Sequence, residues 1–260
     1  MIDSHTHLQH PRFQSEEPAL TPELLLTTAQ AAGVTRIVTI ACRRKEWQPA
    51  LQFCQAHPQV SMAAGMHPQD VAEEAPITEA ELIAIAQHPQ VVALGETGLD
   101  YYYENSPKAA QHASFHTHLQ ACAKAGLPAV IHTRDAEEDT IAILKEHPGV
   151  PFVLHCFTGS AWLAGQGVQL GGYISFSGIL SFKKSDTLRT IAASLPQEKV
   201  LIETDAPYLA PHPFRGKRNA PHLLPHTCAA LAGVWQCSTE HAAKITATNT
   251  LRLFSRMAAG

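Results

Sequence analysis

The sequence predicts an α/β chain folded as a single-domain TIM (β/α)8 barrel over residues 1–260. Three observations carry that reading. Eight short apolar runs rich in Val, Ile and Ala recur along the chain, segments of helical periodicity lie between them, and most of these segments close on a helix-stop signal. The strand-like runs cover about 1–8, 36–42, 60–68, 91–99, 128–134, 151–157, 172–178 and 200–206. Helical periodicity runs from Thr21 to Ala32, Glu46 to His57, Glu79 to His88, Pro107 to Gly126, Ala136 to His147, Ala161 to Leu170 and Ser185 to Leu195. Gly33, His57-Pro58, His88-Pro89, Gly126, His147-Pro148 and Gly171 supply the stops, because glycine takes the left-handed cap and proline expels its predecessor from helical backbone. An open doubly wound sheet is the alternative, but no G-x-G-x-x-G follows an early run and no P-loop is present. With no repeat, linker or low-complexity stretch, one domain is expected.

With 45% hydrophobic and 16% charged residues, the chain can bury one large core. No run approaches the ~18 consecutive apolar residues of a membrane helix, and the start lacks a basic-then-apolar leader, so no membrane association and a cytoplasmic protein are expected. The six cysteines form no C-x-x-C pair, which favours reduced thiols. Cys156 neighbours His155 on a predicted strand and should therefore face outward, against a helix. His116 and His118, on a predicted helix, are assigned with other scattered histidines to surface or capping roles.

Chemistry-bearing residues collect where the runs end. His5 and His7 close the first, Glu96 lies in Gly95-Glu96-Thr97-Gly98-Leu99-Asp100, and His132, His155 and Asp205 close later ones. On a barrel these positions ring the face that carries active sites. Residues i and i+2 of a strand share a side, so Asp3, His5 and His7 group together, as do His132 with Arg134 and Glu203 with Asp205. One strand histidine is more often structural than ligating. Six imidazoles and carboxylates at strand ends match what a two-metal hydrolytic centre needs.

The chain resembles the TatD-type metal-dependent deoxyribonucleases of the wider amidohydrolase-like barrels. The resemblance rests on Asp3-Ser4-His5-Thr6-His7, Gly65-Met66-His67-Pro68, Gly95 to Asp100, His132-Thr133-Arg134, His155-Cys156-Phe157-Thr158-Gly159, Glu203 to Leu209 and Arg218-Asn219-Ala220-Pro221. It implies a metal-dependent nuclease, often a 3′ to 5′ exonuclease, with His5, His7, Glu96, His132, His155 and Asp205 as ligands. His5 and His7 then suit one cation, His132 and His155 the other, and Glu96 can bridge them with its two oxygens. Asp205 has a double expectation, as ligand and as acceptor of the proton from a water acidified by the cations. Asp3 and Glu203 are expected to orient these groups through hydrogen bonds rather than to ligate. Imidazole favours Zn²⁺ or Mn²⁺, and the resemblance leaves Mg²⁺ open.

A net charge of −4 argues against broad adhesion to nucleic acid. Distribution argues the other way, since ten of the 19 basic residues (Arg12, Arg43, Arg44, Lys45, Arg134, Lys183, Lys184, Arg215, Lys217, Arg218) fall on or just past strand ends, where they can meet phosphates. Arg134 leads through its shared face with His132, and Arg218-Asn219 follows through the family match. His67 can donate a hydrogen bond to a phosphate oxygen. Tyr208 and the run Tyr101-Tyr102-Tyr103 read equally as stacking platforms for unpaired bases or as loop packing.

The function expected is divalent-metal-dependent phosphodiester hydrolysis, acting on single-stranded DNA from its 3′ end, by a monomer or weak oligomer. Alternatives are a carbonyl-directed deacylase such as a D-aminoacyl-tRNA deacylase, a small-molecule amidohydrolase, and a nucleic-acid-binding protein without turnover.

Overall fold

The computed structural model describes residues 1–103 and 105–259, and its eight strands form one sheet in chain order. The elements are β1 (Ile2–Thr6), α1 (Arg12–Ser15), α2 (Pro22–Ala31), β2 (Arg36–Ala41), α3 (Arg44–Ala56), β3 (Val60–Ala64), α4 (Glu79–Ala86), β4 (Val91–Asp100) and α5 (Lys108–Ala125). They continue with β5 (Ala129–Arg134), α6 (Glu137–Glu146), β6 (Phe152–Leu154), α7 (Ala161–Gln169), β7 (Tyr173–Phe176), α8 (Asp186–Ser194), β8 (Val200–Ile202), α9 (Leu224–Trp235) and α10 (Thr239–Leu253). This is the predicted (β/α)8 architecture. No helix among the described residues is long and apolar enough to cross a membrane.

Local chemistry sets the helix ends. Thr21 caps α2 by accepting from the Leu24 N–H, with Pro22 in the first turn. Thr78 and Glu81 form a reciprocal capping box at α4, Ser160 caps α7, and Gly126 ends α5 in the left-handed region at φ 65°.

The chain resolves into two compact units whose boundaries fall inside β2, β7 and α10 and in the segment after β6. The first comprises Met1–Thr39, Cys156–Thr158 and Ser175–Thr250. In it the last strand meets the first: Ser4 Oγ donates to the Ile202 carbonyl (2.9 Å), Asp205 N to His5 O (2.9 Å) and His7 N to Ala206 O (2.8 Å). The second comprises Ile40–His155, Gly159–Ile174 and the segment from Leu251. There β4 and β5 pair in parallel from Leu94↔Ala129 to Asp100↔Arg134. Two glycines permit the approach of neighbouring strands. A Cβ on Gly65 would stand 2.5 Å from Gly95 backbone carbons, and one on Gly98 would collide with the His132 carbonyl.

Several strands are shorter than predicted at their C-terminal ends. The runs 60–68, 151–157 and 200–206 stop at Ala64, Leu154 and Ile202. Beyond these points the backbone turns, with Cys156 at φ 43° and Asp205 at φ 53°. Strand alternation therefore does not govern Glu203 and Asp205. Nor does it place Cys156 on an outward strand face, as expected: its Sγ lies 3.4 Å from Ser177 Oγ in a turn.

Candidate metal centre

In the first unit two imidazoles face one carboxylate. β1 carries His5, His7 follows it, and Asp205 Oδ1 lies 3.7 Å from His5 Nε2 and 3.5 Å from His7 Nε2. Asp205 sits in the left-handed region, which aspartate tolerates better than most residues. Asp3 secures the approach to it. Its Oδ1 accepts from Thr204 N (2.9 Å) and its Oδ2 from Thr204 Oγ1 (2.6 Å). Burial pushes the Asp3 carboxyl up to about 7, against the lowering effect of the Thr204 hydrogen bonds. Glu203 Oε1 accepts from Cys156 N at 2.8 Å. Both acids thus organise backbone beside the ligand positions.

Two predicted phosphate contacts, Asn219 and Arg218, also bond to backbone. Asn219, fully buried, donates through Nδ2 to Thr204 O (2.8 Å) and Tyr208 O (2.7 Å) and accepts from Ala220 N. Arg218 donates to the carbonyls of Arg12 (2.9 Å), Glu16 (2.7 Å) and Pro18. Asn219 thereby satisfies backbone acceptors, one of them buried, and Arg218 gathers the carbonyls of the 12–18 segment. Tyr208 remains exposed, with its hydroxyl 2.9 Å from His10 Nε2 and its ring 6.1 Å from that of His7.

In the second unit the centre is Glu96, buried midway along β4. Its Oε1 lies 2.7 Å from His155 Nε2, 3.1 Å from His132 Nδ1 and 3.4 Å from His67 Nε2. Cys42 Sγ lies 3.6 Å from Oε2. Burial alone would raise this carboxyl, but the imidazoles of His155 and His67, with a hydrogen bond to His155, hold it well below the usual carboxylate range. His67 thereby gains a place beyond phosphate donation: its ligand atom, that of Glu96 and that of His132 lie within 4.8 Å of one another. Burial depresses the His67 imidazole to about 4, and its Nδ1 accepts from Gln69 N at 3.2 Å.

Two positioning residues escaped the sequence reading. Asp100 Oδ2 accepts from His132 Nε2 (2.9 Å), which leaves His132 Nδ1 directed at Glu96. Asp100 stands four residues from Glu96 on β4, beyond an irregularity at Glu96, and both carboxylates meet His132. His118 is fully buried on α5, not at the surface as expected. It accepts the Met66 N–H through Nε2 (3.2 Å) and donates from Nδ1 to Ser114 O (2.7 Å), anchoring the segment that presents His67.

The basic rim is thinner than its sequence count. Arg43 pairs with Asp70 at 2.6 Å, Arg44 with Glu81 at 2.8 Å and Glu74 at 3.1 Å, and Arg12 with Glu16 at 2.6 Å. Lys183, Lys184, Arg215 and Lys217 are exposed. The Arg134 guanidinium lies over Tyr102, 3.7 Å from the ring centroid.

In each unit, then, a carboxylate oxygen lies among imidazole nitrogens. Such a donor set fits a borderline divalent ion such as Zn²⁺ or Mn²⁺. The comparisons agree with that chemistry. A family model described as TatD related DNase matches residues 2–255. A protein of Bacillus subtilis named as an uncharacterized metal-dependent hydrolase is 36% identical over 259 residues, covering 98% of each chain. One of Salmonella typhimurium named as a 3′-5′ ssDNA/RNA exonuclease is 36% identical over 221 residues, covering 82% of this chain and 84% of its own. The crystal structure of a TatD homolog from Escherichia coli superposes with a TM-score of 0.89 at 28% identity, covering 98% of both chains.

Proposed function

We propose that this chain, which belongs to the TatD related DNase family, is a metal-dependent nuclease that shortens single-stranded DNA from its 3′ end. The coarser activity, metal-dependent hydrolysis, is that of the family; the substrate and polarity are the proposal. One observation carries it: a single ionised carboxylate oxygen, Glu96 Oε1, collects three imidazole nitrogens within 3.4 Å. The Salmonella relative named as a 3′-5′ ssDNA/RNA exonuclease supports the choice of substrate.

In this reading His5, His7, Glu96, His132, His155 and Asp205 hold two divalent ions, Zn²⁺, Mn²⁺ or Mg²⁺. Bound there, the ions supply Lewis acidity to a phosphoryl oxygen and to water. The protein's own groups do the rest. The Asp205 carboxylate accepts the proton of the attacking water, the water oxygen bonds to phosphorus as the P–O ester bond to the shortened strand breaks, and the departing ester oxygen takes up a proton. Asp100 fixes the His132 tautomer, and Asp3 holds the Thr204 backbone that leads to Asp205. Arg134, with the exposed cations Lys183, Lys184, Arg215 and Lys217, meets the polyanion, and Tyr208 borders the His7 side.

The test is hydrolysis of a 5′-labelled single-stranded DNA oligonucleotide by chelator-stripped protein with Mg²⁺, Mn²⁺ or Zn²⁺ restored. A ladder that shortens from the 3′ end only with metal is expected. DNA left intact with every ion would turn the reading toward carbonyl substrates, beginning with misacylated tRNA.

A further inference from the structure

We infer that Tyr102, Tyr103 and Arg134 form a shelf on which an unpaired base stacks while its neighbouring phosphate meets the Arg134 guanidinium; this rests on the nuclease reading and specifies its single-strand preference. The two rings are 55% and 48% exposed, in a molecule that fully buries Phe13, Phe115, Phe176 and Phe254. They stand perpendicular to each other at 4.8 Å, and Arg134 lies 3.7 Å from the Tyr102 centroid and 5.0 Å from that of Tyr103. Arg134 is exposed, and among the described residues its guanidinium has no carboxylate partner. A guanidinium laid flat on an aromatic face keeps its N–H edge for a phosphate.

The rings are displayed on fixed backbone. Asp100 Oδ1 accepts the N–H of Tyr102 (3.0 Å) and of Tyr103 (3.1 Å), and Gln69 Nε2 donates to Tyr103 O (3.1 Å). Gln69 Oε1 in turn accepts from Asn105 N at 3.2 Å. The backbone of Tyr102 and Tyr103 is thus held before binding, and their exposed aromatic area is available for contact. The other oxygen of the same carboxylate holds His132 beside Glu96, so the shelf adjoins the candidate centre through one side chain. Bases within a duplex have no face to offer such a platform, whereas each unpaired base has one.

Two substrates test this: a single-stranded oligonucleotide with natural 3′-terminal nucleotides, and the same strand with abasic terminal nucleotides. Wild type is expected to show a KM roughly tenfold to a hundredfold higher for the abasic strand. The double variant Tyr102→Ala/Tyr103→Ala should lose that discrimination, and Tyr102→Phe/Tyr103→Phe, which keeps the faces, should restore it. Equal KM for the two strands in wild type overturns the shelf while leaving the nuclease reading intact. A phenylalanine pair that behaves like the alanine pair also overturns it. Cleavage of neither strand removes the nuclease reading and the shelf with it.

Discussion

Asp100 and His118 illustrate how single side chains set this site without belonging to it. Asp100→Asn would keep an acceptor for the tyrosine N–H groups but present an amide to His132 Nε2, disturbing the tautomer that aims Nδ1 at Glu96. Metal affinity or kcat should fall roughly 10- to 100-fold, with far-ultraviolet circular dichroism unchanged; wild-type values for both would remove Asp100 from the account. His118 predicts a pH effect on stability. Burial depresses its pKa from 6.5 to about 4, so between those values the unfolded chain binds a proton that the folded chain refuses. Stability present above pH 6.5 is therefore lost as the pH falls toward 4, by roughly 3 kcal/mol at most. His118→Gln should make denaturant-derived stability fall less steeply in that window, the remaining slope including His67. Candidate ligands were legible at this scale because histidine and carboxylate fell at the ends of apolar runs, and atoms of His67, Glu96 and His132 do come within 4.8 Å of one another. The backbone bonds of Asn219 and Arg218 were not legible, since sequence does not show which carbonyls a side-chain donor will reach.

At the scale of elements, the alternation of strand and helix was readable through Ile202, and what followed was not. Pro225 lies in the first turn of α9, which tolerates proline because its missing N–H would be unpaired there anyway. α10 was hidden differently. Its buried stripe, Ala242, Thr246, Asn249, Thr250 and Leu253, follows helical spacing but is mostly polar, so hydrophobic periodicity gives no signal. Asn249 explains the polarity: its Nδ2 donates to Gln197 O and Val200 O, both at 2.8 Å, tying α10 to the start of β8. Asn249→Ala strands two buried carbonyls and should cost about 1–3 kcal/mol in urea unfolding. A change below a few tenths would mean that water replaces the amide. The overestimated strand ends have a related cause, because Asp205 and Cys156 leave the extended region where the chain turns toward chemistry.

For the whole molecule, the expectation of a single domain becomes a measurable proposal. Each of the two compact units carries its own reporter, Trp235 in the first and Trp47 and Trp162 in the second, while β2 and β7 run through both. Unfolding followed by the fluorescence of single-tryptophan variants should give coincident midpoints, and separated midpoints would show two domains. Divalent ions that bind the folded state alone should raise that shared midpoint. The claim on which the rest depends is that the strand-end histidines and carboxylates are a hydrolytic metal centre. The most direct measurement titrates chelator-stripped protein with Mn²⁺ while following single-stranded oligonucleotide cleavage, for wild type and Asp205→Asn. The account predicts activity that rises to a plateau near about two equivalents of metal, and a folded Asp205→Asn protein that stays inactive throughout. Full cleavage without metal, or undiminished cleavage by Asp205→Asn, would contradict it.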